Sequence, residues 1–302
     1  MGALLWTTAV TSTTPRSHAE SLPTDGSRSA ADRIRIEELA DRFGEGELRE
    51  PLAVTVDQRG RLYVADAMTG KVYRYSEGSG SIEFERPSAS LFPLDLGVEG
   101  SMVYVLDYTG NRVLRYDASG AFLDILLAFE EFPGMHPVSF TVGEGGRFLT
   151  TDLENHSMTV WTPLLEIEFE TGEYGWTEGA FDEPRKAAAL PDGSIAVIES
   201  GHRRLQIMSP TGTFQRLVAP PEETPFIAPR WVSSDGAGNI FVADPEAGIL
   251  FVFDSKGELI QRIDSYAGEA IIPTSAVVDW EDRLYVADLR TKTVLLYRLH
   301  YR

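Results

Sequence analysis

The chain has 302 residues, 43% of them apolar, and a formal net charge of −19 at neutral pH. Its length supplies enough apolar material for a large core, and no apolar run reaches the roughly eighteen residues that a membrane-spanning helix needs. The acidic charge argues against nucleic acid as a partner, and the absence of cysteine excludes disulfides, thiolate metal sites and cysteine nucleophiles.

The first residues resemble a secretion signal. A short apolar stretch, Gly2 to Val10, precedes Ser17-His18-Ala19, whose small alternate residues are similar to a signal-peptidase site, although no Lys or Arg comes before the stretch. A genuine signal peptide, a truncated one and a disordered tail all remain open. Residues 20–32 are polar, which favours a disordered linker. We therefore expect a signal-like segment and linker over residues 1–32, and a periplasmic or secreted protein, with the cytoplasm left as an alternative.

One short pattern, apolar residues followed by an acidic one, recurs six times between residues 62 and 288. The acidic residues are 41 to 47 residues apart, and a proline opens each repeat with nearly the same spacing. Such a period, with β-branched and aromatic runs separated by turn residues, is typical of the four-stranded blades of a β-propeller. The acidic residues are Asp66, Asp107, Asp152, Glu199, Asp244 and Asp288, and the prolines are Pro51, Pro93, Pro137, Pro184, Pro229 and Pro273.

The fourth residue after each proline is small or β-branched. This composition suits the innermost strand of a blade, where neighbouring blades crowd around the central axis. The residues are Thr55, Gly97, Thr141, Ala188, Ser233 and Val277.

The runs Pro51 to Tyr75, Pro93 to Tyr116 and Pro229 to Phe253 resemble the NHL repeat, in which a proline-led strand, a Gly turn, a Val-Ala-Asp strand and an Arg-Val-x-x-Phe/Tyr strand follow one another. The resemblance extends over residues 51–302 and is weaker in the third and fourth repeats. It implies an all-β, six-bladed propeller over residues 33–302.

The last repeat ends after its third strand, Thr293 to Leu299, so it lacks an outer strand. Ile34 to Leu39 lies upstream of the first repeat at the distance that an outer strand would have, and its apolar residues alternate. We therefore predict that this N-terminal strand completes the sixth blade and closes the ring.

Two arginines stand out at the start of the fourth and fifth repeats. Arg185 and Arg230 directly follow the blade-opening proline, where the other four repeats have Leu, Val or Thr, and Lys186 and Trp231 come next. Paired guanidinium groups suit a carboxylate or phosphate, so these four residues are the predicted ligand-binding site. The alternative is that the arginines form ion pairs with nearby carboxylates such as Asp182 or Glu183.

The longest connection, residues 166–183, has four aromatic residues among many acidic ones. Aromatic side chains on a long loop often contact partners, and the alternative is that they only pack over the blade edge. The predicted partner-binding residues are Phe169, Tyr174, Trp176 and Phe181.

Three histidines, His136, His156 and His202, are expected on the same face of the propeller. Some propellers that resemble NHL proteins, the peptidyl-hydroxyglycine lyases, hold zinc with histidines near the axis. The spacing here has no metal-binding signature, so the alternative is a solvated loop position for each histidine. The metal ligands are therefore left unknown and no cofactor is predicted, with Ca or Zn kept open.

No local motif of a known enzyme class is present: no zinc-binding His pair, phosphate-binding loop, nucleophile elbow or EF-hand. We therefore predict a non-catalytic binding propeller that engages a protein or a small anionic ligand through one face. The alternative is a metal-dependent lyase or hydrolase with its site at the channel mouth, similar to the lyases above or to the calcium-dependent lactonase-type propellers.

Overall fold

The computed structural model describes residues 34–76 and 79–301, and these form a six-bladed β-propeller, as predicted. Each blade is an antiparallel four-stranded sheet, with its first strand at the central axis. The expected signal-like segment and linker at residues 1–32 lie outside the described residues. Within those residues, no helix is long and apolar enough to span a membrane.

Five blades are built from consecutive strands. Blade 1 contains β2 (Pro51–Val56), β3 (Leu62–Asp66), β4 (Lys71–Ser76) and β5 (Ser79–Glu83). Blade 2 contains β6 (Pro93–Glu99), β7 (Met102–Asp107), β8 (Arg112–Asp117) and β9 (Phe122–Ala128). Blade 3 contains β10 (Pro137–Val142), β11 (Phe148–Asp152), β12 (Ser157–Trp161) and β13 (Ile167–Thr171).

Blade 4 contains β14 (Pro184–Ala189), β15 (Ile195–Glu199), β16 (Arg204–Met208) and β17 (Phe214–Val218). Blade 5 contains β18 (Trp231–Ser234), β19 (Ile240–Asp244), β20 (Ile249–Phe253) and β21 (Leu259–Ile263), followed by a small hairpin, β22 (Ser265–Tyr266) and β23 (Glu269–Ala270). Blade 6 contains β24 (Pro273–Val278), β25 (Arg283–Asp288) and β26 (Thr293–Tyr301), and takes its outer strand, β1 (Ile34–Phe43), from the N-terminal side of the described chain.

Ring closure by β1 is confirmed. β1 runs antiparallel to β26, from the pair Ile34 and Tyr301 to the pair Phe43 and Val294. It is four residues longer than the predicted strand, because a bulge between Glu38 and Arg42 lets pairing resume. The Gln261 side chain also donates to the Ile34 carbonyl at 3.2 Å, so β1 contacts blade 5 as well as blade 6.

The core lies between the blades because each second strand is buried on both faces. All five residues of β3, β11, β15 and β19 are buried, which fits their continuous apolar sequences. Rings from adjacent blades meet in these interfaces. Tyr104 of blade 2, for example, lies 5.8 Å from Phe140 of blade 3, centroid to centroid.

The six repeated carboxylates tie together two loops in each blade. Each is buried and accepts a backbone N–H from the segment just before the blade-opening proline. Most also accept one from the loop that follows their own strand. Asp152, for instance, accepts from the His136 N–H at 2.7 Å and from the Asn155 N–H at 2.9 Å. Their turn-capping role follows from these bonds.

Gly97 shows why inner strands need small residues. A Cβ at this position would lie 2.6 Å from Val142 Cγ2 of the adjacent blade. We expect Gly97→Val to destabilise the protein by about 1–3 kcal/mol through overpacking. Gly80→Val is the matched control, since nothing lies within 4 Å of its Cβ position. Urea unfolding of both variants checks this, and equal midpoints would contradict it.

Candidate functional site

The mouth of the central channel, at the end where the blade-opening prolines lie, holds a cavity of about 710 Å³. Much of its wall is apolar, with one or more such residues from five of the six blades. These residues include Leu52, Phe92, Leu94, Val138, Ile272 and Leu289. A cavity of this size and lining is typical of small-molecule sites.

A backbone feature recurs where five of the blades reach this mouth. In β2, β6, β10, β14 and β24, the pairing register shifts directly after the proline. A bulge of this kind places two residues opposite one on the neighbouring strand and redirects the side chains. In three of these blades both residues after the proline line the cavity: Leu94 and Asp95, Val138 and Ser139, Arg185 and Lys186. Blade 5 contributes Arg230 and Trp231 without a register shift.

Arg185 is held in place at the cavity wall. Its Nε donates to Ser200 Oγ at 2.7 Å, and a terminal nitrogen donates to Glu183 Oε2 at 3.0 Å. The Ser200 hydroxyl and the Arg185 guanidinium together hold the pKa of Glu183 below its usual range. About 30% of the Arg185 side chain remains exposed. The predicted alternative, an ion pair with Glu183, is therefore present, and it orients the guanidinium at the mouth.

Arg230 also lines the cavity but is held loosely. Its side chain is 53% exposed, and it forms a 3.8 Å ion pair with Glu246, which is itself exposed. Exposed pairs of this length contribute little to stability. The Arg230 guanidinium is thus free to turn toward a ligand.

Lys186 is not a surface cation. Its side chain is 5% exposed, and its Nζ lies 2.5 Å from Asp95 Oδ2 on blade 2, whose side chain is 2% exposed. Nζ also donates to the Phe140 carbonyl on blade 3 at 3.0 Å. Asp95 in turn accepts the Phe140 and Leu96 N–H groups at 2.8 and 2.7 Å. One buried charge pair therefore links blades 2, 3 and 4 at the cavity floor.

Burial acts on both members of this pair. Desolvation raises the pKa of Asp95 and lowers the pKa of Lys186, and in each case the opposite charge of the partner works against the shift. The protonated amine and the ionised carboxylate are therefore held together closely, in surroundings that favour the neutral form of each.

Trp231 completes the floor from blade 5. Its ring lies under the Lys186 ammonium, 4.2 Å from Nζ to the ring centroid, and its Nε1–H donates to the Ala276 carbonyl at 3.2 Å. Lys186 and Trp231 also line a smaller cavity of about 200 Å³ deeper in the channel. Together they separate the mouth cavity from the rest of the channel.

Arg185, Lys186, Arg230 and Trp231 are thus brought to one cavity, and their ligand-binding role stays a prediction. Asp95 was not among the residues predicted from the sequence. A signal was present: Asp95 is two residues after its proline, where three other repeats have the small residues Ala53, Ser139 and Ser275. A charged residue there, matched by Lys186 at the same position two blades away, indicates a pair across the channel.

The four aromatic residues predicted to bind a partner divide into two kinds. Phe169 lies on β13 and packs into the core of blades 3 and 4, and Phe181 is fully buried there. The side chains of Tyr174 and Trp176 are exposed, each close to a histidine: Tyr174 to His156 at 5.0 Å and Trp176 to His202 at 3.9 Å, centroid to centroid. The aromatic surface of this segment is therefore Tyr174 and Trp176. The connection itself is shorter than expected, because residues 167–171 form β13.

The three histidines do not converge. His136 is exposed, whereas His156 and His202 lie on either side of Asp182, each 3.6 Å from a carboxylate oxygen. The His202 side chain is 1% exposed, so the expectation that it is a solvated loop residue is wrong. Across residues 34–76 and 79–301, no three His, Asp or Glu side chains are grouped so as to hold a metal ion.

No protein-family model and no curated protein sequence matches the chain. Solved structures do match it. A streptogramin B lyase superposes with a TM-score of 0.67 at 14% identity, covering 90% of this chain and 100% of that chain. A gluconolactonase from Xanthomonas campestris gives 0.66 at 18%, covering 89% and 95%. The propeller of a nidogen/laminin complex gives 0.60 at 12%, covering 76% and 92%.

At these identities the likeness shows the fold alone, and the matched propellers include both enzymes and a protein of a binding complex. The resemblance to NHL repeats stays a prediction from the sequence.

Proposed function

We propose that this propeller binds a small organic anion with an apolar body in the mouth cavity, and that Arg185 and Arg230 hold its carboxylate. The observation that carries the proposal is the placement of two guanidinium groups on an apolar cavity, in a chain whose net charge is −19. Three cations and three carboxylates line the cavity, and Lys186 and Asp95 neutralise each other at its floor. The guanidinium of Arg185, oriented by Ser200, and that of Arg230, which meets the exposed Glu246 only at 3.8 Å, are the groups on the apolar wall that offer hydrogen bonds to a carboxylate.

The two arginines are better suited to the anion than Lys186 is. The Lys186 ammonium already has Asp95, the Phe140 carbonyl and the Trp231 ring around it, so it forms a neutralised floor. A guanidinium can bind a carboxylate with two parallel hydrogen bonds, and the apolar walls favour a hydrocarbon body next to that charge. The ligand class is therefore an aliphatic or aromatic carboxylate.

Two further parts of the function are also proposals. An extracytoplasmic location rests on residues 1–19, which the structure does not describe. A protein partner, if one binds, would contact Tyr174 and Trp176, since these are the exposed aromatic residues of their segment.

The proposal predicts charge-dependent binding. In calorimetric titrations against a panel of aliphatic and aromatic carboxylates, we expect binding of hydrocinnamate and similar acids. The uncharged hydrocinnamamide should bind at least about tenfold more weakly, because each charge-assisted hydrogen bond contributes about 1.5–3 kcal/mol. Arg185→Ala/Arg230→Ala should lose the preference for the acid.

Arg298→Ala is the matched control, because Arg298 is exposed on β26 and does not line the cavity. It should bind like the parent protein. Equal binding of acid and amide, or no binding by any carboxylate of the panel at millimolar concentration, would overturn the proposal.

A further inference from the structure

The cavity floor contains a group that the proposed binding of an anion does not use: the amine of Lys186. Lys186 lines the mouth cavity, yet its side chain is 5% exposed, so this residue lies at the boundary between the cavity and the core. Around Nζ are one carboxylate oxygen at 2.5 Å, one carbonyl oxygen at 3.0 Å and an aromatic face. The other three lysines of the chain, Lys71, Lys256 and Lys292, lie in blades 1, 5 and 6, away from this cavity.

This arrangement has the parts that amine chemistry requires. An amine reacts with a carbonyl only in its neutral form, and desolvation in an apolar pocket favours that form. Asp95 Oδ2 lies 2.5 Å from Nζ, in position to accept its proton, and burial favours the neutral form of each group by lowering the pKa of Lys186 and raising that of Asp95. Asp95 also accepts two backbone N–H groups, which fix its carboxylate next to the amine.

We propose that Lys186 forms a reversible imine with a carbonyl-bearing carboxylate, such as a 2-oxo acid, held in the mouth cavity. The carboxylate group would lie at Arg185 and Arg230 and the ketone carbon at the floor. This inference rests on the proposed function for the anionic class of the ligand, and adds covalent capture to it.

Imine formation here needs only Lys186, Asp95 and the ligand. Asp95 takes a proton from the Lys186 ammonium. The neutral amine forms an N–C bond to the ketone carbon, the C=O π pair moves to the oxygen, and a proton passes from the nitrogen to that oxygen, giving a carbinolamine. Asp95 returns its proton to the carbinolamine hydroxyl, the C–O bond breaks, and water leaves as the nitrogen lone pair forms the C=N bond of a protonated imine. Nothing is oxidised or reduced, and hydrolysis reverses the capture.

Hydride trapping tests the proposal on the whole protein. Cyanoborohydride reduces an imine to a stable secondary amine, which digestion and mass spectrometry assign to a particular lysine. With phenylpyruvate as the probe, we expect modification of Lys186 at least about tenfold above that of Lys71, Lys256 and Lys292, which serve as internal controls in the same sample. Modification of Lys186 no greater than that of the other three would overturn the proposal.

Two variants separate chemistry from packing. Lys186→Arg keeps the buried cation but cannot form the imine, so its labelling should fall to background. Asp95→Asn keeps the amine and a hydrogen-bond acceptor, and should slow trapping about a hundredfold if Asp95 moves the protons. Unchanged trapping in Asp95→Asn would remove Asp95 from the step, and circular dichroism verifies that both variants are folded.

Matched probes distinguish failure of this inference from failure of the proposed function. Hydrocinnamate has the carbon skeleton of phenylpyruvate without the ketone. Binding of hydrocinnamate that depends on Arg230, with no trapping of phenylpyruvate, would overturn the imine and leave the anion site intact. Equal trapping of phenylpyruvate and of phenylacetone, the uncharged ketone with a methyl group in place of the carboxylate, would keep the amine chemistry and overturn the anion site.

Discussion

Deletion of β1, residues 34–43, should leave the protein unfolded or aggregated. β1 supplies the outer strand of blade 6, and without it the edge of β26 is exposed as an unpaired strand. The deletion also removes the buried Ile34 and the partly buried Leu39 and Phe43 from two clusters of the core. Full burial of one such side chain contributes about 1.5–3 kcal/mol, so the loss of Ile34 and the partial losses at Leu39 and Phe43 remove a large share of the whole stability of a typical domain, which is about 5–15 kcal/mol.

Contacts between β1 and blade 5 add to the destabilisation expected from the deletion. β1 is hydrogen-bonded to blade 5 through Gln261, and its Glu38 accepts the backbone N–H of Ala267 at 2.8 Å, in the turn between β22 and β23. The Tyr266 hydroxyl donates to the Leu39 carbonyl. Loss of β1 therefore frees the hairpin as well as the sheet edge. Size-exclusion chromatography and circular dichroism measure the outcome.

Point substitutions provide the control for the deletion. Ile34 is buried and Arg35, the next residue on the same strand, is exposed, because side chains alternate along a strand. Ile34→Asp should lower the melting temperature by several degrees or more, whereas Arg35→Asp should change it little. A deletion variant that melts like the parent protein would show that the ring does not depend on β1.

The fold could be predicted from the sequence because each blade repeats the same physical requirements. The proline, the small inner residues and the terminal carboxylate recur with one period, and six copies fix the number of blades. The sixth repeat had one strand too few for a four-stranded blade, which pointed to the N-terminal strand as its outer strand. The predicted β1 was four residues too short, because the residues around Asp41 carry no alternating pattern and pairing continues past a bulge.

The site could be predicted only in part. Arg185 and Arg230 stood out because they break the repeat, and the register shift after the proline explains why Lys186 faces the same cavity. Asp95 was missed because the contact depends on blades 2 and 4 lying on either side of blade 3. That proximity is a property of the closed ring, and in the sequence it shows only when the same position of the second and fourth repeats is compared.

Replacing Lys186 by Met should destabilise the protein by about 3–5 kcal/mol, because Asp95 is then left as a buried charge without its partner. Asp95 still accepts two backbone N–H groups in the variant, but nothing neutralises it. Urea unfolding compared with the parent protein measures the loss. An unchanged urea midpoint would mean that water solvates Asp95 at the cavity floor.

The loss of stability in Lys186→Met should depend on pH, because it comes from the buried charge of Asp95. Burial already raises the pKa of Asp95 in the parent protein, and removal of the lysine takes away the main opposing influence. A carboxyl group whose pKa is higher in the folded than in the unfolded state destabilises the fold as pH rises from the unfolded value, near 4, through the folded value. The difference in unfolding free energy between the parent protein and Lys186→Met should therefore be smaller at about pH 4.5 than at about pH 7.5.

The double variant Lys186→Met/Asp95→Asn tests whether the pair or the packing stabilises the ring. Asn keeps an acceptor for the Phe140 N–H, and Met keeps the apolar stem of Lys186 against Trp231, so neither a charge nor a cavity is left behind. We expect it to be more stable than Lys186→Met alone. Recovery of most of the lost stability would show that the charged pair itself adds little to the stability of the parent protein. The pair would then be kept for its position, where a ligand's carbonyl would meet an amine. If the double variant is as unstable as Lys186→Met, the loss of stability comes from the other contacts of the lysine and not from an unpaired Asp95.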